Sequence, residues 1–401
     1  MNVEQPKLGR RGTLFLLIIV GAFPPLTMDL YLPALPQMAD AFATSHAMIN
    51  TTLGAYMVAF AVGMLFWGPL SEKTGRKPIL FAALAIYIIA SLLCAMVSNI
   101  ESLIAFRIMQ GLSGGGVTVV GTAIVKDLFD GREREKVMAT VMSLVIIAPM
   151  VAPVLGAFLL QVTTWRAMFV ALALFGCLTA GLVALYSETI EEKSSAPISK
   201  SWGRLTVVLR NPRFTYLLVL FSLVPMCLMA FLGTAAYVYI DDFGMSEQAF
   251  SYIFAFNAAC AGLGPMLYMR LSAHIRVQTF VFGCFGVIIV SGVCLVVFAA
   301  QSQWIFAACA AMATMSVIAL RVPGANLLLE QQTKDTGSAA ALIQCGGTLM
   351  GAIGVQLVSA NSHDLIRNYG LLVIAVGIIC AIMWLAVQHR SFVADKVSKP
   401  L

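Results

Sequence analysis

Thr13-Leu-Phe-Leu-Leu-Ile-Ile-Val-Gly-Ala-Phe-Pro-Pro-Leu-Thr-Met-Asp-Leu-Tyr-Leu-Pro-Ala-Leu35 carries a single charge, Asp29, in an otherwise apolar run. About 20 apolar residues make a helix long enough to cross a bilayer core about 30 Å thick. The pattern recurs along the chain, with spans expected at 13–35, 47–69, 78–98, 101–125, 138–161, 167–186, 214–240, 248–269, 278–299, 303–329, 337–360 and 368–388. The 401 residues are 60% hydrophobic and 11% charged, against about 25% charged in ordinary soluble domains. Lipid is therefore the solvent for most of this chain. The expected fold is an all-α polytopic membrane protein of twelve transmembrane helices. The start, Met1-Asn-Val-Glu-Gln-Pro-Lys7, is too polar and mixed for a signal peptide, so the first span is read as a retained helix.

Basic residues set the orientation. With Lys7, Arg10 and Arg11 in the cytoplasm, alternation puts all but four of the 25 Lys and Arg residues inside. Arg166 and Arg367 fall outside, and Arg107 and Arg321 fall within spans. Such asymmetry is the positive-inside pattern, and it predicts both termini in the cytoplasm. The net charge of +6 then reflects topology. No basic patch interleaved with aromatics suggests nucleic acid. The nine cysteines lie in predicted spans without a CxxC pair, so they read as small packing residues. The four histidines sit in loops or at span ends without metal spacing, which argues against an enzyme and predicts no metal and no cofactor. Six spans precede the polar stretch 187–213 and six follow. The expected organisation is a six-helix half over 1–186, a cytoplasmic linker over 187–213 and a second six-helix half over 214–401. Two such halves are the arrangement of transporters whose site lies between repeats. Each chain would then hold a whole pathway, so a monomer is expected.

Asp29 is the one acid expected to be buried within a span. A carboxyl group in hydrocarbon costs a few kcal/mol on insertion scales, and burial favours its protonated form. A lone titratable acid among apolar helices is a candidate proton carrier. Span four opens Arg107-Ile-Met-Gln-Gly-Leu-Ser-Gly-Gly-Gly116. At 1.5 Å per residue, Asp29 and Arg107 both fall about 9 Å below the outer surface. Two readings are open: a static buried ion pair, direct or bridged by Gln110, or a proton-coupling group of Asp29, Arg107 and Gln110.

The loop expected after span two reads Gly68-Pro-Leu-Ser-Glu-Lys-Thr-Gly-Arg-Lys77. It is either a solvated loop or, with Asp127 from the inner end of span four, a conformational gate built from Gly68, Glu72, Gly75, Arg76 and Asp127. Span five carries Ala148-Pro-Met-Val-Ala-Pro-Val-Leu-Gly156, where Pro149, Pro153 and Gly156 predict a bend or a close-packing seam. Pro24, Pro25, Pro33 and Pro36 predict a bent first span close to Asp29. Arg321 in span ten either snorkels or bonds carbonyls freed near Pro323, or it faces an anionic or zwitterionic substrate. Asn257 and Gln344 are interhelical hydrogen bonders or cavity-lining groups. Tyr31, Tyr56, Met57, Tyr237 and Tyr239 are either packing and interfacial anchors or further cavity candidates, suited to loose recognition of apolar solutes.

These motifs together give the chain a family resemblance. It resembles the major facilitator superfamily, and within it the drug:proton antiporters of the Bcr/CflA (bicyclomycin/chloramphenicol-resistance) type. Asp29 to Pro36 is similar to that clade's first-helix signature and Gly68 to Lys77 to the superfamily's loop motif. Arg107 to Gly111 and Ala148 to Gly156 are similar to the motifs of helices four and five. Gly337 to Ala341 is similar to the clade's Gly-Thr-Ala-Ser-Ala. The resemblance implies proton coupling at Asp29 and Arg107 and gating of the inner face by Glu72, Arg76 and Asp127. Glu72 stands where the motif usually has aspartate. The place about two turns before Asp29, where some multidrug members carry a second acid, is apolar here near Gly21.

The expected function is proton-coupled efflux, by antiport and alternating access, of drug-like or small metabolite substrates across a bacterial inner membrane. Protons supply the energy. The alternative is proton-coupled transport of a physiological solute such as an anionic metallophore, nucleoside or sugar.

Overall fold

The computed structural model describes residues 5–190, 198–332, 336–360, 364–390 and 392–393. Lys193, Lys334, Lys396 and Lys399 of the topology reading lie outside them. Among the described residues every regular element is helical. This is what lipid demands, because a helix satisfies its backbone hydrogen bonds internally. Packing separates two compact units: Met1–Thr44 with Thr51–Ser201, and Ser45–Asn50 with Trp202–Leu401.

In unit 1 the first span is broken. Helix α1 covers Gly9–Gly21, α2 Phe23–Asp29 and α3 Leu35–Ala41, with one 3₁₀ turn at Leu32–Ala34. Proline occupies the first turn of α2, of the 3₁₀ turn and of α3, where a missing N–H costs least. The bend expected near Asp29 is thus a series of breaks, and Asp29 is the last residue of α2. Helices α4 (His46–Thr74), α5 (Arg76–Met96), α6 (Ile100–Leu128), α7 (Gly131–Val162) and α8 (Trp165–Leu185) follow. The loop expected at Gly68–Lys77 is shorter than read: α4 runs through Thr74, and Gly75 alone separates it from α5.

Glycine lets these helices meet at backbone distance. Without a hydrophobic force between helices in lipid, close van der Waals packing holds them. A Cβ on Gly111 would run into the Tyr56 carbonyl, and one on Gly115 into the Phe60 carbonyl. From the other side, a Cβ on Gly63 would meet the Leu112 carbonyl, while the Trp67 indole donates to that carbonyl at 3.0 Å. Helix α7 stays a single helix through Pro149 and Pro153. Its Gly156 lies so close to the Leu30 carbonyl that no side chain fits. Gly156 thus makes the close approach that a packing seam in span five requires.

Helix α9 (Ile198–Leu209), which unit 2 takes up from Trp202 onward, lies inside the stretch read as linker. The seventh span divides into α10 (Pro212–Leu223) and α11 (Pro225–Tyr237), extended by a π-turn at Val238–Asp242. The eighth divides into α12 (Glu247–Gly262) and α13 (Gly264–Leu271). Helices α14 (Val277–Phe298), α15 (Gln303–Glu330), α16 (Thr336–Ser359) and α17 (Leu365–Val387) complete the set. The first turn of α4 groups with this unit. Asn50 donates to the Gly233 carbonyl and to Ser359 Oγ, each at 2.6 Å, and the His46 ring stacks on Tyr237.

Among the described residues, eleven helices or broken-helix spans are long and apolar enough to cross a membrane. The twelfth expected span corresponds to α7, whose described apolar run is Ile147–Val162. The protein is an all-helical polytopic membrane protein. Replacing Gly115 by leucine is expected to lower stability by about 2 kcal/mol or more through overpacking. Gly181→Leu, at a glycine with nothing within 4 Å, is the matched control. Thermal melting of both variants in detergent checks this.

Candidate functional site

The first candidate region is buried in unit 1. Asp29 is 3% exposed and is the one buried acid among the described residues. Its Oδ1 meets no hydrogen-bond donor. Arg107 and Gln110, one turn apart on α6, are fully buried as well. Arg107 approaches the chain on both sides of Asp29. Its Nη1 lies 3.4 Å from the Thr27 carbonyl and its Nη2 3.2 Å from the Tyr31 hydroxyl. The matched depth read from the sequence therefore holds.

The pairing does not. Among the described residues no ion pair within 4.0 Å joins Asp29 to Arg107. Gln110 does not bridge them either: its Oε1 accepts from Arg107 Nη1 at 2.6 Å, and its Nε2 donates to Ser91 Oγ at 2.7 Å. Aromatic rings hold the guanidinium instead. Its carbon lies 4.6 Å from the Tyr31 ring centroid and 4.4 Å from that of Tyr56. A ring face attracts a cation, more strongly when both are desolvated. Arg107 is thus stabilised without a carboxylate, and among the described residues Asp29 has no ion-pair partner within 4.0 Å. Met57, beside Tyr56, is buried in the same core.

The second region is the polar cluster where α4 ends and α5 begins. Gly75 sits at φ 115°, a conformation that favours glycine. A Cβ there would come 2.5 Å from the Glu188 carboxylate. Arg76 Nε donates to Asp127 Oδ2 at 2.9 Å, and Arg76 Nη1 to Ser71 Oγ at 2.6 Å. Ser71 in turn donates to the Gly68 carbonyl. Gly68 contributes that carbonyl and no close approach, since a Cβ on it would make only ordinary contact with Val119.

Glu72 is exposed and outside these bonds. The acid that serves here is Glu188. Its Oε1 accepts from Arg76 N at 3.1 Å and its Oε2 from Lys77 N at 3.0 Å. A carboxylate on the first free N–H groups of α5 satisfies orphan donors and complements the helix dipole. Thr189 extends the cluster to Tyr186 and Asp127, and the Lys77 ammonium donates to the Ala184 and Tyr186 carbonyls. Sequence reading missed Glu188 because 111 residues separate it from Lys77. The available signal was the first acid after the sixth span, within Tyr186-Ser-Glu-Thr189.

Unit 2 holds the remaining candidates, and they do not form one group. Tyr237 and Tyr239 are fully buried, Tyr239 edge-on to Phe306 at 5.2 Å. Asn257 accepts from Thr314 Oγ1 at 3.0 Å, the interhelical bond foreseen as one of its two roles. Arg321 and Gln344 are both exposed, and Arg321 Nη2 donates to Gln344 Oε1 at 3.3 Å. Asn50, with its paired buried bonds, was not singled out from sequence.

Comparison with known proteins agrees with this architecture. The chain is 29% identical over 359 residues to the uncharacterized MFS-type transporter YdgK of Bacillus subtilis, covering 88% of this chain and 89% of the relative. It is 28% identical to a chloramphenicol resistance protein of Pseudomonas aeruginosa, over 87% of this chain and 84% of that one. It is 27% identical to a bicyclomycin resistance protein homolog of Haemophilus influenzae, over 69% and 71%. Among solved structures, a D-xylose-proton symporter superposes with a TM-score of 0.72 at 13% identity, covering 97% of this chain and 99% of that one. At that identity the likeness is one of fold. The profile described as Major Facilitator Superfamily matches residues 17–355. The chain belongs to the major facilitator superfamily, a family of membrane transporters and not of enzymes.

Proposed function

We propose that this transporter exports drug-like or small metabolite substrates in exchange for protons, from a cell inner membrane with both termini cytoplasmic. The observation that carries the proposal is Asp29, a buried carboxyl oxygen without a donor beside a cation held by other means. A protonated, neutral carboxyl makes no demand on Arg107, and the separation of the two suits that state. Loss of the proton would create an anion in a site of low polarity. The Arg107 guanidinium, tied by weak contacts to Tyr31, Tyr56, Thr27 and Gln110, is the nearest means of neutralising it. Proton binding and release would thus shift Arg107 between two sets of partners. Differential stabilisation of two states is what a coupled conformational change requires. The resistance proteins among the relatives favour export of drug-like solutes. The apolar position near Gly21 fits one coupled proton.

The Gly75 cluster is the proposed gate, with Glu188 in place of Glu72 beside Arg76 and Asp127. Alternating access moves one half against the other. A bonded set of side chains at a helix junction gives such motion two discrete states.

Three outcomes are expected. Asp29→Asn should abolish proton release on substrate addition to acidified inside-out vesicles, with folded yield retained; a full signal in the variant would refute the proton-carrier role. Glu188→Gln should lower stability by about 1–2 kcal/mol, since a neutral amide weakens the charge-assisted cap on α5. Glu72→Gln should stay within about 0.5 kcal/mol. Thermal melting of the two variants side by side separates these roles.

A further inference from the structure

Arg321 is the charge in unit 2 that the proton-carrying reading leaves unused. It lies in α15 nine residues before the helix ends at Glu330, about 14 Å along the axis. An arginine at such depth stays charged and needs a partner or water. Among the described residues no acid lies within ion-pairing distance of it. Its hydrogen bond to Gln344 at 3.3 Å is long, and the carbonyls near Pro323 receive no bond from it.

Accessibility and depth mark the place as a recess and not as lipid-facing perimeter. The side chain is accessible, and a guanidinium this far along a span turns to water or protein and not to hydrocarbon. Gln344 is accessible beside it. The direction of the amide follows from donor chemistry. A guanidinium only donates, so Gln344 must turn its oxygen to Arg321, and its NH₂ group then points elsewhere. The result is a group of unused N–H donors from two helices, carrying a net positive charge and no acceptor. Such a group matches a carboxylate, whose two oxygens take paired N–H donors from one arginine.

We propose that Arg321 and Gln344 form a subsite for the carboxylate of an anionic or zwitterionic substrate. The inference rests on the transport reading and narrows its substrate class. Arg321 pairs with the carboxylate through its two terminal nitrogens. Gln344 holds the guanidinium in place and adds its NH₂ as a further donor. Thr348, one turn along α16, donates to the Gln344 backbone carbonyl at 2.8 Å and is not a ligand. The subsite also disfavours cationic solutes, since Arg321 would have to be desolvated against a like charge.

The test uses the full-length protein in lipid nanodiscs without a proton gradient. Benzoate, naphthoate and nalidixate are each compared with their methyl esters by intrinsic tryptophan fluorescence and by thermal melting. At least one acid is expected to bind more tightly than its ester. Arg321→Gln should weaken that acid about tenfold or more and leave the ester unchanged. Arg321→Lys should fall between wild type and Arg321→Gln. Gln344→Leu should weaken the acid without touching the charge. Were Arg321→Gln not to fold, the graded effects of Arg321→Lys and Gln344→Leu would decide. Acids that bind no better than their esters, or equally to wild type and the Arg321 and Gln344 variants, overturn the proposal. The acid-over-ester preference, and its loss in Arg321→Gln, should persist in an Asp29→Asn background whatever that change does to absolute affinity, so failure of proton coupling and failure of the subsite are read separately.

Discussion

Arg107 is a permanent positive charge with no exposed surface, and much of the core of unit 1 is arranged around it. A charge removed from water is tolerated only if other groups replace its hydration. Here two tyrosine rings, an amide oxygen, a hydroxyl and a backbone carbonyl do so. The ring faces are weaker partners than a carboxylate, and that weakness matters. A full ion pair with Asp29 would fix both groups in one state. Aromatic and neutral partners keep Arg107 in place without engaging the Asp29 carboxyl group.

The breaks in the first span belong to the same design. A straight helix through 13–35 would continue the backbone ladder past Asp29. Instead α2 ends at Asp29 and proline starts each following piece. Irregular backbone at membrane depth is tolerated where protein covers it. Gly156 of α7 supplies that cover against the Leu30 carbonyl. Gly111 and Gly115 bring α6 against α4 at the level where Tyr56 reaches Arg107. Small residues thus do more than pack helices: they set the depth at which the charged group sits.

Elsewhere polar chemistry gathers at helix ends. Glu188 caps α5, Asp127 and Ser71 hold Arg76, and Gly75 provides the turn that brings them together. Asn50 does comparable work in unit 2, satisfying a glycine carbonyl and a serine hydroxyl in an apolar setting. Arg321 and Gln344 differ from both groups. They are accessible, and their donors outnumber their acceptors.

The membrane environment, the all-helical fold and the shared depth of Asp29 and Arg107 were legible in the chain. These depend on local composition and on counting residues along a helix, and both are properties of sequence. Helix breaks at Pro24 and Pro36 were legible for the same reason, because proline removes its own N–H wherever it stands. The partners of each charge were not legible. Whether Arg107 turns to Asp29 or to Tyr31 and Tyr56 is decided by side-chain direction among helices far apart in the chain. Glu188 replaces Glu72 in the cluster because a residue over a hundred positions away can reach the start of α5, while a neighbour on the wrong face of α4 cannot. The helix α9 was hidden by the polar composition of its surroundings. What a residue is, and how deep it lies, is written locally; whom it meets is settled only when distant helices close on one another.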